Sequence, residues 1–211
     1  MSRAADVNPG PAIGRRSDAE LRDQSVHVLW EFRQCMRLAR HLYDRRHGGV
    51  TEMVDPLDAA ALEAFCLHSR ALVEFLWRDR NQGKRPMSQD AVAGDWFDTG
   101  SWRFEASLPD EVRDVHRRTG WGVAHISYKR LDPEEVWGWD HVAIGHRIAS
   151  RLHDFSEDAP TVRLHPDFRR EALKENLNFR ENMALKEHAF EPSPSYSVGT
   201  PAHPHLWIAR S

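Results

Sequence analysis

The chain has 211 residues, 40% of them hydrophobic and 29% charged, with 29 Lys and Arg against 32 Asp and Glu and a formal net charge of -3. That mixture supports one buried core and excludes a fibrous or wholly disordered chain. It also excludes a global positive field, so an anionic ligand such as RNA needs a local basic patch.

Residues 1–17 combine Pro, Gly and Arg with little apolar content, the composition of a mobile arm. From Asp18 to about Arg46, Leu21, Val28, Leu29, Phe32, Cys35, Met36, Ala39 and Leu42 recur at helical spacing, and Gly48-Gly49 stops that first helix. Asp55-Pro56-Leu57-Asp58 then supplies an N-cap acceptor, a proline at the first helical position and an acid two residues on. The second helix is predicted to run to about Arg78, with Leu62, Phe65, Cys66, Ser69, Leu72, Val73 and Leu76 inward. Residues 88–104 hold aromatics without a clear period, which predicts a short helical turn and irregular chain laid over the bundle.

Leu108-Pro109-Asp110-Glu111 starts a third helix with Val112 and Val115 inward, and Gly120 and Gly122 interrupt it. Asp132-Pro133-Glu134-Glu135 repeats the cap logic for a fourth, whose inward stripe includes Val136, Trp139, Val142, Ile144, Ile148, Leu152 and Phe155. The polar segment from Pro166 to His188, with Leu173 and Leu177 among its few apolar residues, reads as a peripheral fifth helix. The expected organisation is an arm over 1–17, an all-α antiparallel four-helix bundle over 18–158, a peripheral helix over 159–190 and an extended tail over 191–211. The two cysteines, Cys35 and Cys66, fall on apolar helical faces, as reduced core thiols do. No run nears the roughly 18 apolar residues of a membrane span, and no secretory signal is visible, so a cytoplasmic protein away from membranes is expected.

The stretch from Arg113 to Arg130 is the local basic patch. It carries Arg113, Arg117, Arg118, Lys129 and Arg130 with His116 and His125 against a single acid, Asp114. Arg118 and His125 lie seven residues apart, which on an ideal helix aligns them about 10.5 Å apart along the axis. A bend at the glycines, or a second copy of the chain, would bring an imidazole for proton transfer and a guanidinium for phosphate charge into one cleft. Plainer readings stay open: His125 as a hydrogen-bonded core or interface histidine, Arg118 as a solvated helix end, and His68 and Arg70 as polar side chains on opposite flanks of the second helix's apolar face. The pair His141 and His146 is five residues apart and poorly placed to share a metal; no zinc, Walker, Rossmann or nucleophile-elbow spacing occurs, so neither metal nor cofactor is expected.

Three blocks in order, Leu67-His68-Ser69-Arg70-Ala71-Leu72-Val73-Glu74-Phe75-Leu76, Asp90-Ala91-Val92-Ala93-Gly94-Asp95-Trp96-Phe97 and Val123-Ala124-His125-Ile126-Ser127-Tyr128-Lys129-Arg130, resemble the HEPN superfamily (higher eukaryotes and prokaryotes nucleotide-binding). The similarity spans about residues 20–158 and is nearest in pattern to small stand-alone bacterial HEPN-like proteins. The superfamily's hallmark is an Arg, four to six residues and a His, and Arg118 to His125 has six between. The resemblance implies a helical bundle, a homodimeric cleft and metal-independent RNA cleavage, with Arg118 and His125 catalytic. Around them, Arg117, Tyr128, Lys129, Arg130, His68 and Arg70 are the expected RNA or phosphate contacts. It further implies a toxin, phage-defence or stress role, with a nucleotidyltransferase antitoxin as a possible partner. The chain departs from the pattern in having Thr119 and Gly120 where many members place a polar residue, often Asn, after the Arg. A rival reading is a non-catalytic module that binds a nucleotide, RNA or a protein through the same face, and a third is a purely structural dimer.

Overall fold

The computed structural model describes residues 16–47, 56–78, 90–98, 102, 107–119 and 140–189, excepting the side chains of 46–47, 116–118 and 184–189. Five α-helices are present: α1 (Asp18–His47), α2 (Pro56–Trp77), α3 (Asp110–Arg118), α4 (His141–Asp158) and α5 (Phe168–Ala189). Short 3-10 turns occupy Ala93–Trp96 and Thr161–Arg163. The protein is all-α, with no strand among the described residues. The arm over 1–15, the tail over 190–211 and the interhelical stretches at Gly48–Asp55 and Gly120–Trp139 lie outside the described residues.

Helix α1 starts where Ser17 and Glu20 cap each other. The Glu20 backbone N–H donates to Ser17 Oγ at 3.2 Å, and the Ser17 backbone N–H donates to Glu20 Oε2 at 2.8 Å, satisfying donors that no helical carbonyl reaches. All eight apolar residues expected to face inward on α1 are buried, and on α2 Phe65, Cys66, Ser69, Leu72, Val73 and Leu76 are buried with Leu62 half-buried. Pairs along these two helices fix their relative direction. Arg45 meets Asp58, Cys35 meets Ser69 and Glu31 meets His68, so α1 and α2 form an antiparallel hairpin.

Contacts among aromatic rings set the other long helices. Phe65 packs on His141 while Phe75 packs on Phe155, so α4 runs parallel to α2. Phe155 meets Phe168 while His146 meets Phe179, so α5 returns antiparallel to α4. Phe155, fully buried, is the hub of one half of the bundle: Phe75, Trp96, Trp102, Phe168 and Phe97 all lie with ring centroids between 5.1 and 6.0 Å of it. Residues 93–97 therefore seal the bundle as the sequence suggests, and Arg163 locks that seal. Its Nε donates to Asp18 Oδ1 at 2.7 Å and its Nη1 to the Trp96 carbonyl at 2.8 Å, while Trp96 Nε1 donates back to the Arg163 carbonyl at 2.9 Å.

Two expectations are corrected. First, α5 is a full member of the core rather than a peripheral helix. It buries Phe168, Ala172, Phe179 and Met183 against α1 and α4, and ties to α1 through Arg33–Glu171 at 2.5 Å and Arg40–Glu175 at 3.2 Å. Its inward stripe includes the polar Glu175 and Asn176, so Leu173 and Leu177 turn outward and stay nearly half exposed. The long helices around the core are thus α1, α2, α4 and α5, with the nine-residue α3 set against α2 and α4. Second, α4 starts at His141 rather than near Asp132. Asp140 has non-helical backbone angles (φ -85, ψ 82), and its carboxylate accepts from the Ala143 N–H at 2.8 Å, a side-chain cap that begins a fresh helix.

Helices α4 and α5 approach closely at Gly145. A Cβ added there would stand 2.7 Å from Phe179 Cζ, so the absence of a side chain is what admits the ring. None of the described helices is long and apolar enough to cross a membrane.

Candidate functional site

The basic stretch enters the structure at the end of α3. Asp110 begins the helix, the Pro109 carbonyl accepts from the Val112 and Arg113 N–H groups at 3.1 and 2.8 Å, and Val112 and Val115 are fully buried. Arg113 is engaged locally, 2.7 Å from Asp110 and donating to the Leu108 carbonyl at 3.1 Å. The backbones of Arg117 and Arg118 form the last turn of α3, where cations oppose the negative end of the helix dipole. Thr119 follows, fully buried, with its hydroxyl donating to the Cys66 carbonyl of α2 at 3.4 Å. That bond pins the point at which the chain leaves the helix against the middle of α2. The side chains of Arg117 and Arg118, together with His125, Tyr128, Lys129 and Arg130, lie outside the described residues, as does the bend expected at Gly120 and Gly122.

His68 and Arg70 are described, and the structure does not bring them together. They are two positions apart, about 200° around a helix. His68 faces α1, with Nδ1 2.6 Å from Glu31 Oε2 and its ring edge-on to Trp30 at 5.3 Å. Arg70 turns the other way and donates from Nε to Glu74 Oε1 at 2.9 Å. Each side chain is thereby held by a carboxylate of the same chain, and the two face away from one another. Glu74 also meets Arg78 at 3.5 Å, and Arg78 lies 3.9 Å from Asp90. Asp95 accepts from the Val92 N–H at 3.2 Å, a capping role. His141 and His146 pack edge-on against different rings, Phe65 and Phe179, consistent with their poor placement for a shared metal.

One polar cluster was not singled out from the sequence. Asp58, almost fully buried in the first turn of α2, receives Arg45 in a bidentate pair (Nε to Oδ1 at 3.0 Å and Nη2 to Oδ2 at 2.7 Å) and lies 3.3 Å from His41 Nε2. The Arg45 guanidinium holds the Asp58 carboxyl below its ordinary range, with His41 adding to the effect. Asp58 was legible only as a helix-start acid; its partners lie 13 and 17 positions earlier, beyond any local pattern. The two thiols are inert by contrast. Burial pushes Cys35 and Cys66 up to about 12, and Cys35 Sγ sits 3.3 Å from Ser69 Oγ. No group of three or more His, Cys, Asp or Glu side chains converges as a metal site among the described residues.

Comparison with family models, with curated proteins and with solved structures finds no match to this chain.

Proposed function

We propose that the protein is a metal-independent ribonuclease of HEPN type, built on a HEPN-like helical bundle, that works from the end of α3. The observation that carries this reading is the anchored exit of α3. Arg117 and Arg118 sit on its last turn, and Thr119 is fastened to the Cys66 carbonyl, so the segment leading to His125 starts from a fixed point on a rigid scaffold. In the proposed reaction His125 removes the proton from a ribose 2′-hydroxyl, whose oxygen attacks the adjacent phosphorus. Arg118 stabilises the doubly charged phosphorane, and the 5′-oxygen leaves with the proton that the His125 imidazolium returns, directly or through water. The products are a 2′,3′-cyclic phosphate and a 5′-hydroxyl. Arg117, Tyr128, Lys129 and Arg130 supply contacts to neighbouring phosphates and bases. A homodimeric cleft, a toxin or defence role and restraint by a nucleotidyltransferase-type antitoxin belong to this reading.

One observation favours a second reading, a non-catalytic module that binds RNA, a nucleotide or a protein through the same face. Thr119 spends its hydroxyl proton on Cys66, and Gly120 follows with no side chain, so neither of the two residues after Arg118 offers the polar group that would orient a phosphate or His125.

Incubation of the purified full chain with total RNA in excess chelator separates the two, with a folded Arg118→Ala/His125→Ala variant beside it. Cleavage lost in the variant is the expected result. RNA binding without cleavage selects the second reading with RNA as its ligand, and neither binding nor cleavage overturns the ribonuclease reading.

A further inference from the structure

We propose that the outward face of the α1–α2 hairpin is a two-fold interface, on which a second copy of this chain seats with its own α2 antiparallel. A surface helix in water turns charges outward. Helix α1 does so with Asp23, Arg37 and Asp44, and α5 with Lys174, Arg180 and Glu181, all exposed. Along α2 the outward positions are instead Ala60, Ala64, Leu67 and Ala71, an uncharged ridge about 16 Å long. Leu67 stands half exposed at its middle, and Trp30 of α1, also half exposed, widens the apolar surface by packing on His68.

The symmetry of this face points to its occupant. The ridge is spaced four, three and four residues, so it reads the same from either end. Laid antiparallel on its own copy about a two-fold between positions 65 and 66, Leu67 falls on Ala64, large on small, at two equivalent contacts, and Ala60 falls on Ala71. The charges beside the ridge fit the same pairing. Glu63 and Arg70 lie one turn to either side of Cys66, on the flank that receives Thr119 from α3, and reversing one copy brings Glu63 to Arg70 of the other. Glu63 is exposed and has no ion pair among the described residues, while Arg70 bonds Glu74 through Nε and keeps its terminal nitrogens for this contact. On the other flank Glu31 is level with His68, so the axis crosses α1 near Gln34. It brings Arg37, exposed and likewise without an ion pair among the described residues, to the Trp30 ring of the other copy. A second copy meets all of these requirements by identity of sequence. Because Thr119 is fastened to the Cys66 carbonyl beside the axis, both α3 exits then face one flank of the dimer. That the two cleavage sites open side by side there rests on the ribonuclease reading; the interface does not.

Sedimentation velocity of the full chain is expected to show a dimer at about 10 μM. Leu67→Glu sets a carboxylate on the apolar ridge of the other copy at both equivalent contacts and should weaken association about a hundredfold. Leu173→Glu makes the same change at an equally exposed leucine of α5 (46% against 49%) and should leave association within about twofold. Ala60→Glu puts a good helix former at an exposed position of the ridge, so the dissociation expected from it is not a loss of folding. Circular dichroism melts establish that each variant is folded. A chain that stays monomeric at about 100 μM, a dimer that survives Leu67→Glu, or equal weakening by Leu173→Glu overturns the proposal. A dimer that responds as expected but cuts no RNA supports the interface and counts against the ribonuclease reading alone.

Discussion

The half of the bundle around Phe155 and the end that holds Asp58 are spanned by the same α1–α2 hairpin yet secured by different forces. Phe155 and the five aromatic rings around it meet edge to face or stacked, and the charged lock at Arg163 sits at their margin. At the other end, a buried carboxylate gathers Arg45 and His41 where α1 finishes and α2 starts. The difference teaches where this protein should respond to volume and where to pH. Apolar packing is indifferent to protons but intolerant of lost or added atoms; an ion pair tolerates neighbours but depends on ionisation.

The largest expected effect breaks the aromatic side. Phe155→Ala removes the hub and should cost about 3–5 kcal/mol, read from the denaturation midpoint with the slope unchanged. A loss below about 1 kcal/mol would mean that the ring cluster carries little of the fold. Next, Gly145→Ala forces a methyl against Phe179 and should cost about 1–3 kcal/mol. Adding Phe179→Leu, which withdraws the ring atoms, should make the alanine less costly than it is alone, and strictly additive effects would refute the close contact as the cause.

At the polar end the effect is smaller at neutral pH and carries a sign. Asp58 is held below its unfolded value of 3.8 by Arg45, so its stabilisation is present above that pH and is lost as the pH falls through the lower folded value. Asp58→Asn should therefore lower the Tm at pH 7, and the gap to wild type should close as the pH drops below about 4. Glu171, held down by Arg170 and Arg33, loses its contribution in the same direction below its ordinary 4.5, so the Asn variant keeps part of the acid sensitivity. A gap that widens in acid would contradict the clamp.

The same division explains what could be read from the chain. On α1 and α2 the inward positions other than Asp58 are apolar or small, so the period of Leu21, Phe32, Ala39, Phe65 and Leu72 gives the face, and the glycine stop and proline cap give the ends to within a residue or two. On α5 the stripe passes through Glu175 and Asn176, whose burial depends on partners such as Arg40 far away in sequence, so a segment with few apolar residues read as a peripheral helix. The start of α4 was misplaced because Asp132-Pro133 is the stronger local cap signal, whereas Asp140 caps through a geometry that no spacing announces. Of the site residues, Arg70 pairs within its own helix at a legible four-residue spacing. His68 instead takes Glu31 from 37 positions earlier, a pairing that only the packing of α2 on α1 creates. The start of α3 was readable from Pro109-Asp110, but the fastening of its end to Cys66 was not.

The central claim, that the end of α3 delivers Arg118 and His125 to an RNA backbone, is tested most directly by the chemistry of the cut ends. RNA fragments produced by the full chain in chelator should end in 2′,3′-cyclic phosphates with 5′-hydroxyl partners, and none should form with Arg118→Ala/His125→Ala. Fragments with 3′-hydroxyl and 5′-phosphate ends, or cyclic-phosphate ends that persist in the variant, would contradict it.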